Sequence, residues 1–214
     1  DWYNNEHVPL RMNHLQSFLT GARYSALDSQ IPGWAALYDI DDTTTFSHDS
    51  YTRLRANRSL READLVKRLS ILDRQTCGLI ADSGSSLLTT SLASKNPSKA
   101  LITHGLGNDE RDAKEWFGNA VEFLKSIQGW VRSRLFKCID NLKTGVSVPS
   151  GPEAQTVPKF FAVHEFMTSE IVSDPSTGTN ILSLSASVPI SDMRKWGLYR
   201  AYPGIAQGNI ECST

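Results

Sequence analysis

The chain has 214 residues, 22 of them Lys or Arg against 23 Asp or Glu, and a formal net charge of −1. That balance points away from nucleic acid or an anionic membrane as the main partner. No apolar run reaches the roughly 20 residues that span a bilayer. Cys77, Cys138 and Cys212 are an odd set without CxxC spacing. They suggest neither a disulfide framework nor a zinc site, and fit a reducing, cytoplasmic setting.

In chain order, Trp2 to Asn13 has helical spacing, with Pro9 set to break the helix just after His7. Phe18 to Asp28 and Trp34 to Ile40 are rich in aromatic and apolar residues and are joined by a short Pro-Gly connection, so they read as a hairpin. A long charged helix is expected over Asp49 to Leu69, and "ILDRQTCGLIA" closes the stretch as a strand. The Ser, Gly and Pro content of 82–98 marks a linker. "KALITHGL" then reads as a strand and Ala113 to Ser126 as a helix. "WVRSRLFKCID" and "PKFFAVHEF" read as strands, a short or absent helix falls in 168–187, and "RKWGLYRAY" is a last strand.

Three segments recur in the same order. "WYNNEHVPL" aligns with "WFGNAVEFL", "FLTGARYSALD" with "WVRSRLFKCID", and "PGWAALYDI" with "PKFFAVHEF". The chain therefore reads as an internal duplication: repeat 1 over 1–81, a linker over 82–98 and repeat 2 over 99–214. The second unit has β-α-β-β-α-β order, the ferredoxin-like arrangement. Two such units with their bare sheet faces together make an intrachain pseudo-dimeric α+β barrel. By symmetry the first unit lacks its leading strand, whose place would lie before Asp1.

"DWYNNEHVPLR", "FLTGARYSALD", "ALYDI", "SYTRLRANRSLRE" and "ILDRQTC" together resemble fungal EthD-like proteins of the dimeric α/β-barrel superfamily. The resemblance covers most of Asp1 to Ile80, and more loosely "WVRSRLF" and "KFFAVHEF". The motif around Glu6, His7 and Pro9 is its most specific part, and the tail after Asp174 departs from it. The resemblance implies a cofactor-free protein acting on a hydrophobic, polyketide-derived or aromatic molecule. Its relatives include cyclases, isomerases, decarboxylases and oxygenases, and a fold shared by so many chemistries does not choose among them.

The candidate residues follow from spacing. Tyr3, His7, Leu10 and His14 fall on one helical face. A helix end at His7 would favour the protonated ring and make it a general acid/base. Glu6 or Asp39 would orient the imidazole. Alternation places Trp34, Ala36 and Tyr38 on one strand face, with a hollow over the alanine that suits a flat apolar ligand. Tyr38, assisted by Tyr24, would hold an oxyanion. The plainer alternative is that these rings only fill a core. His104 and His164 are expected side by side on neighbouring strands, and with Glu165 they suggest a proton relay or a metal site, with substrate contacts or a structural role as the other readings. No metal signature accompanies them.

Arg53, Arg55, Arg58 and Arg61 read as a solvated face partnered by Glu62 and Asp64. The second copy has Ala120 and Val121 where Glu6 and His7 stand, so only repeat 1 keeps the reactive pair. The partner expected is a hydrophobic small molecule, and pairing into a homodimer is compatible with the sequence. A lyase or isomerase of decarboxylating, cyclising or tautomerising type is the leading expectation. A non-catalytic binder and a cofactor-free oxygenase are the alternatives.

Overall fold

A computed structural model describes residues 2–107, 109–184 and 188–210; Cys212 lies outside them. Seven strands form one antiparallel sheet: β1 (Phe18–Ala26), β2 (Trp34–Ile40), β3 (Leu72–Asp82), β4 (Ala100–Leu106), β5 (Trp130–Thr144), β6 (Phe160–Phe166) and β7 (Ile190–Ala201). Their order is β2-β1-β7-β4-β6-β5-β3. The block β7-β4-β6-β5 is the 4-1-3-2 order of a ferredoxin-like unit. The sheet curls into a half-barrel built of tandem ferredoxin-like repeats.

Strand registers give the duplication residue by residue. In the first repeat Phe18 pairs with Ile40, Gly21 with Tyr38 and Ser25 with Trp34. In the second, Trp130 pairs with Phe166, Ser133 with His164 and Lys137 with Phe160, and both ladders carry a bulge after the first pair. These are the residues that the sequence alignment matches. The two seams between repeats agree equally well. Ala22, Tyr24 and Ala26 pair with Ala201, Leu198 and Trp196, while Arg134, Phe136 and Cys138 pair with Asp82, Leu79 and Cys77. Cys77 and Cys138, 61 positions apart in the chain, thus face each other as free thiols.

Alternation sends odd and even positions to opposite faces. One face carries the helices. Ala100, Ile102, Leu135, Phe160, Ala162 and Phe166 pack there against Trp116, Phe117 and Leu124 of α4 (Glu110–Leu124). On the same face of repeat 1, Phe18, Tyr38 and Ile40 meet Val8, Met12 and Tyr51. Ala22, Tyr24, Leu37, Leu101, Val163 and Trp196 line the opposite, inner face. The linker is not a loose tether. Leu92 is buried in that inner cluster, and Ser91 and Ser98 donate hydrogen bonds to Glu165 at 2.8 and 2.7 Å.

Two helices differ from expectation. The stretch expected as one helix over Asp49 to Leu69 is two, α2 (Asp49–Ala56) and α3 (Leu60–Arg68). Ser59 causes the break: its side chain accepts from the Glu62 backbone N–H at 3.0 Å and starts a new helix. In the poorly written region of repeat 2 there are two short helices, α5 (Ser169–Ser173) and α6 (Pro175–Ser183).

Close packing sets one local test. A Cβ on Gly105 would lie 2.3 Å from Pro158 Cγ and 2.6 Å from Ser191 Oγ. Overpacking of this kind costs about 1–3 kcal/mol. Gly105→Ala is expected to lower the midpoint of thermal unfolding by several degrees, and an unchanged midpoint would show that the ring and hydroxyl yield freely.

Candidate functional site

The first helix begins as a wide turn, Tyr3–His7, in which the Val8 N–H reaches back to the Tyr3 carbonyl at 3.0 Å. Pro9 then opens α1 (Pro9–Met12) at a first-turn position, where its missing N–H costs nothing. The break therefore falls beside His7, as the proline requires, and Arg11 Nη1 donates to the freed His7 carbonyl at 2.5 Å. The buried side of this segment is Asn4, Val8, Met12 and Leu15, while His14 is exposed. His7 sits on its flank, packed against Trp2 and stacked on Tyr3, the ring centroids 4.9 Å apart.

The carboxylate that orients His7 is Glu62, not Glu6 or Asp39. His7 Nδ1 lies 2.7 Å from Glu62 Oε1, and Glu62 is 4% exposed. A carboxylate accepts, so Nδ1 carries the proton and Nε2 holds the lone pair. Glu6 instead accepts a hydrogen bond from Ser59. Asp39 lies on the inner face of β2, bound by Thr20 at 2.9 Å and Arg134 at 2.5 Å. Glu62 is thus not the surface partner of the helix arginines that its neighbours in sequence suggested. His7 is also not held protonated. Burial, then the Arg11 guanidinium, lowers its pKa to about 4 against the opposing pull of Glu62. Desolvation outweighs the helix-end effect here.

Tyr38 joins the site. Its hydroxyl lies 3.1 Å from that of Tyr3, and burial raises both phenol pKa values, so both rings stay protonated donors. The hollow expected over Ala36 is filled. Arg23 stands opposite Ala36 in the β1–β2 ladder. Its guanidinium lies 4.1 Å from the Trp34 ring centre, 4.5 Å from Tyr3 and 5.5 Å from Tyr199. Tyr24 does not join this group, because it points to the inner face and donates to the Ser98 carbonyl at 3.3 Å. A groove of about 320 Å³ adjoins the site, lined in part by Asn4, Val8, Pro9 and Tyr202. Asn4 connects it to the cage: its Oδ1 accepts from Tyr202 and from Arg23.

His104 and His164 are side by side as expected, with Nε2 atoms 3.0 Å apart, but both are fully buried beneath Trp116. They are core residues of repeat 2 and line no open cleft. Their partners fix the tautomers. His104 Nδ1 donates to the Gly105 carbonyl at 3.2 Å, so its Nε2 accepts from His164 Nε2–H. His164 Nδ1 then accepts from Ser133 Oγ at 2.8 Å, and Ser133 accepts from Trp130 Nε1 at 3.0 Å. Among the described residues no group of three His, Cys, Asp or Glu is placed to hold a metal. No helix among them is long and apolar enough to cross a membrane.

No family model and no curated protein sequence matches the chain. A solved structure does: that of a protein described as "anthrone oxidase-like", with a TM-score of 0.58 over 97% of this chain and 86% of the other. The shared property is the fold. At 7% identity the likeness says nothing about shared side chains. The fold is the one that the EthD-like resemblance implies, and in repeat 1 the His7–Glu62 contact ties the amino-terminal segment to α3. In repeat 2 the positions that match Glu6 and His7 are the buried Ala120 and Val121.

Proposed function

We propose that the chain is an EthD-like, cofactor-free enzyme that moves a proton on a hydrophobic, oxygenated small molecule. The observation that carries this reading is the 2.7 Å contact between His7 Nδ1 and Glu62 beside two paired phenols. Glu62 fixes the tautomer and ring plane, leaving Nε2 as the base. A C–H bond α to a substrate carbonyl breaks, its proton passes to Nε2, and the electron pair moves onto the carbonyl oxygen. A hydroxyl of Tyr3 or Tyr38 donates to that oxygen. Return of the proton to another atom gives tautomerisation, and attack by the enolate within the same molecule gives cyclisation. Run in reverse, the same stabilised enolate is what loss of carbon dioxide leaves behind.

The description of the structural neighbour favours a second reading, a cofactor-free oxygenase in which the same enolate reacts with dioxygen. Oxygen uptake separates the two.

The test is turnover of an anthrone and of an aryl β-keto acid. His7→Ala should lose about 100-fold or more in kcat/KM with the fold intact, and Glu62→Gln should lose less. A base must be neutral, so wild-type kcat/KM should fall as pH drops through about 4, the depressed value of His7. Turnover that survives His7→Ala would sink the assignment. Tight ligand binding without turnover, indifferent to His7, would mark a binder instead.

A further inference from the structure

The β3–β5 seam between the repeats carries a pair of nucleophiles that the His7 site does not use. Cys77 and Cys138 are direct partners in that ladder, and both are free thiols. A bulge brings them opposite each other. From Leu72 to Thr76 the register is regular and ends at Thr76 facing Asp140, which would set Cys77 against Ile139. Instead the register slips by one, Ile139 is left over and exposed, and Cys77 faces Cys138.

The Cys138 N–H donates at 2.9 Å to the Lys159 carbonyl, on the side of β5 away from β3. The two cysteines therefore form a non-hydrogen-bonded pair, in which facing Cα atoms lie about 4.5 Å apart. A disulfide spans Cα separations of about 4.4–6.8 Å, so the bond needs side-chain rotation and no shift of either strand. Alternation from Arg134 and Phe136 puts the pair on the inner face of the sheet. Both thiols are half-buried, and each raises or lowers the ionisation of the other. Burial pushes the Cys77 thiol up to about 12 and raises that of the less deeply buried Cys138 as well. Neither is a reactive thiol alone; the advantage of the pair is that the second sulfur is already in place.

We infer that Cys77 and Cys138 are a reversible modification site, oxidised by a low-molecular-weight disulfide to a bond that staples repeat 1 to repeat 2. The Cys138 thiolate attacks one sulfur of the oxidant and expels the first small thiol, leaving a mixed disulfide. Cys77 gives up its proton, attacks the Cys138 sulfur and expels the second small thiol. Two protein thiols are oxidised and one small disulfide is reduced to two thiols. Excess thiol reverses both steps. The bond closes a loop spanning 61 positions and so restricts the unfolded chain. The inference does not depend on the enzymatic reading.

The test uses the 214-residue protein carrying Cys212→Ser, so that only the facing pair can react. Folded protein is incubated with oxidised glutathione, alkylated, digested and examined by mass spectrometry. The expected product is a peptide pair joined through Cys77 and Cys138, with no glutathione retained, and dithiothreitol should reverse it. In Cys77→Ser the reaction should stop at glutathione on Cys138. Oxidation of the pair should raise the midpoint of thermal unfolding by about 5 °C or more, a gain that neither Cys77→Ser nor Cys138→Ser should show. Three results would overturn the inference: glutathione retained in place of the cross-link, a cross-link that forms only in denaturant, or an oxidised form no more stable than the reduced one.

Discussion

Arg134→Met is expected to destabilise the fold by about 3–5 kcal/mol, a large part of the stability of a domain this size. Arg134 lies on the inner face and is 4% exposed; Glu165 is fully buried. The guanidinium donates to Glu165 at 3.0 Å and to Asp39 at 2.5 Å. These two acids are counterparts in the duplication, so closing the repeats brings like charges together around one arginine. Without it, Glu165 keeps hydrogen bonds from Ser91 and Ser98 but loses its counter-charge. Asp39 is less deeply buried and can be rehydrated. The penalty should therefore sit mainly at Glu165, and Arg134→Met with Glu165→Gln should recover at least half of it. Urea unfolding measures both. A loss under about 1 kcal/mol for the single variant would show that water reaches Glu165.

Much of the architecture was legible because two copies say the same thing. Strand alternation in "WAALYDI" assigned its faces correctly, and the strand order put His104 beside His164. The site was less legible because its partners are set by register and packing. Glu62 sits between arginines in sequence and 55 positions from His7, and its one local signal was the Ser-x-x-Glu spacing from Ser59, a helix start hidden inside a charged run. Arg23 was missed because the hollow over Ala36 could be judged from β2 alone, while the residue that fills it comes from β1. Leu92 was missed because one leucine among serines and threonines looks like a linker until the sheet curls around it. The charge state of His7 was misjudged for a related reason: helix-end effects are local and readable, but burial depends on the whole fold.

Burial of the paired histidines should make the protein acid-labile. Burial lowers the pKa of His104 to about 4 and that of His164 well below its ordinary 6.5. Between those values and 6.5 the unfolded chain binds protons that the folded chain refuses. The unfolded state thus carries more protons, and stability must rise with pH. The contribution is complete above about 6.5 and is lost as pH falls through the depressed values. For His104 alone a drop of roughly 2.5 units corresponds to about 3 kcal/mol, and His164 adds in the same direction. Unfolding free energy should therefore fall as pH drops from about 6.5 toward 4, both rings pulling in the same direction. Replacing both rings with phenylalanine should flatten the profile between pH 5 and 7, above the range where most carboxylates titrate. Nitrogen NMR of the intact protein tests the same point without a variant. At pH 5 it should show two neutral rings, protonated at Nδ1 in His104 and at Nε2 in His164. A doubly protonated ring at that pH, or an unchanged slope in the phenylalanine variant, would mean that the pair titrates in contact with water and that the core of repeat 2 is open.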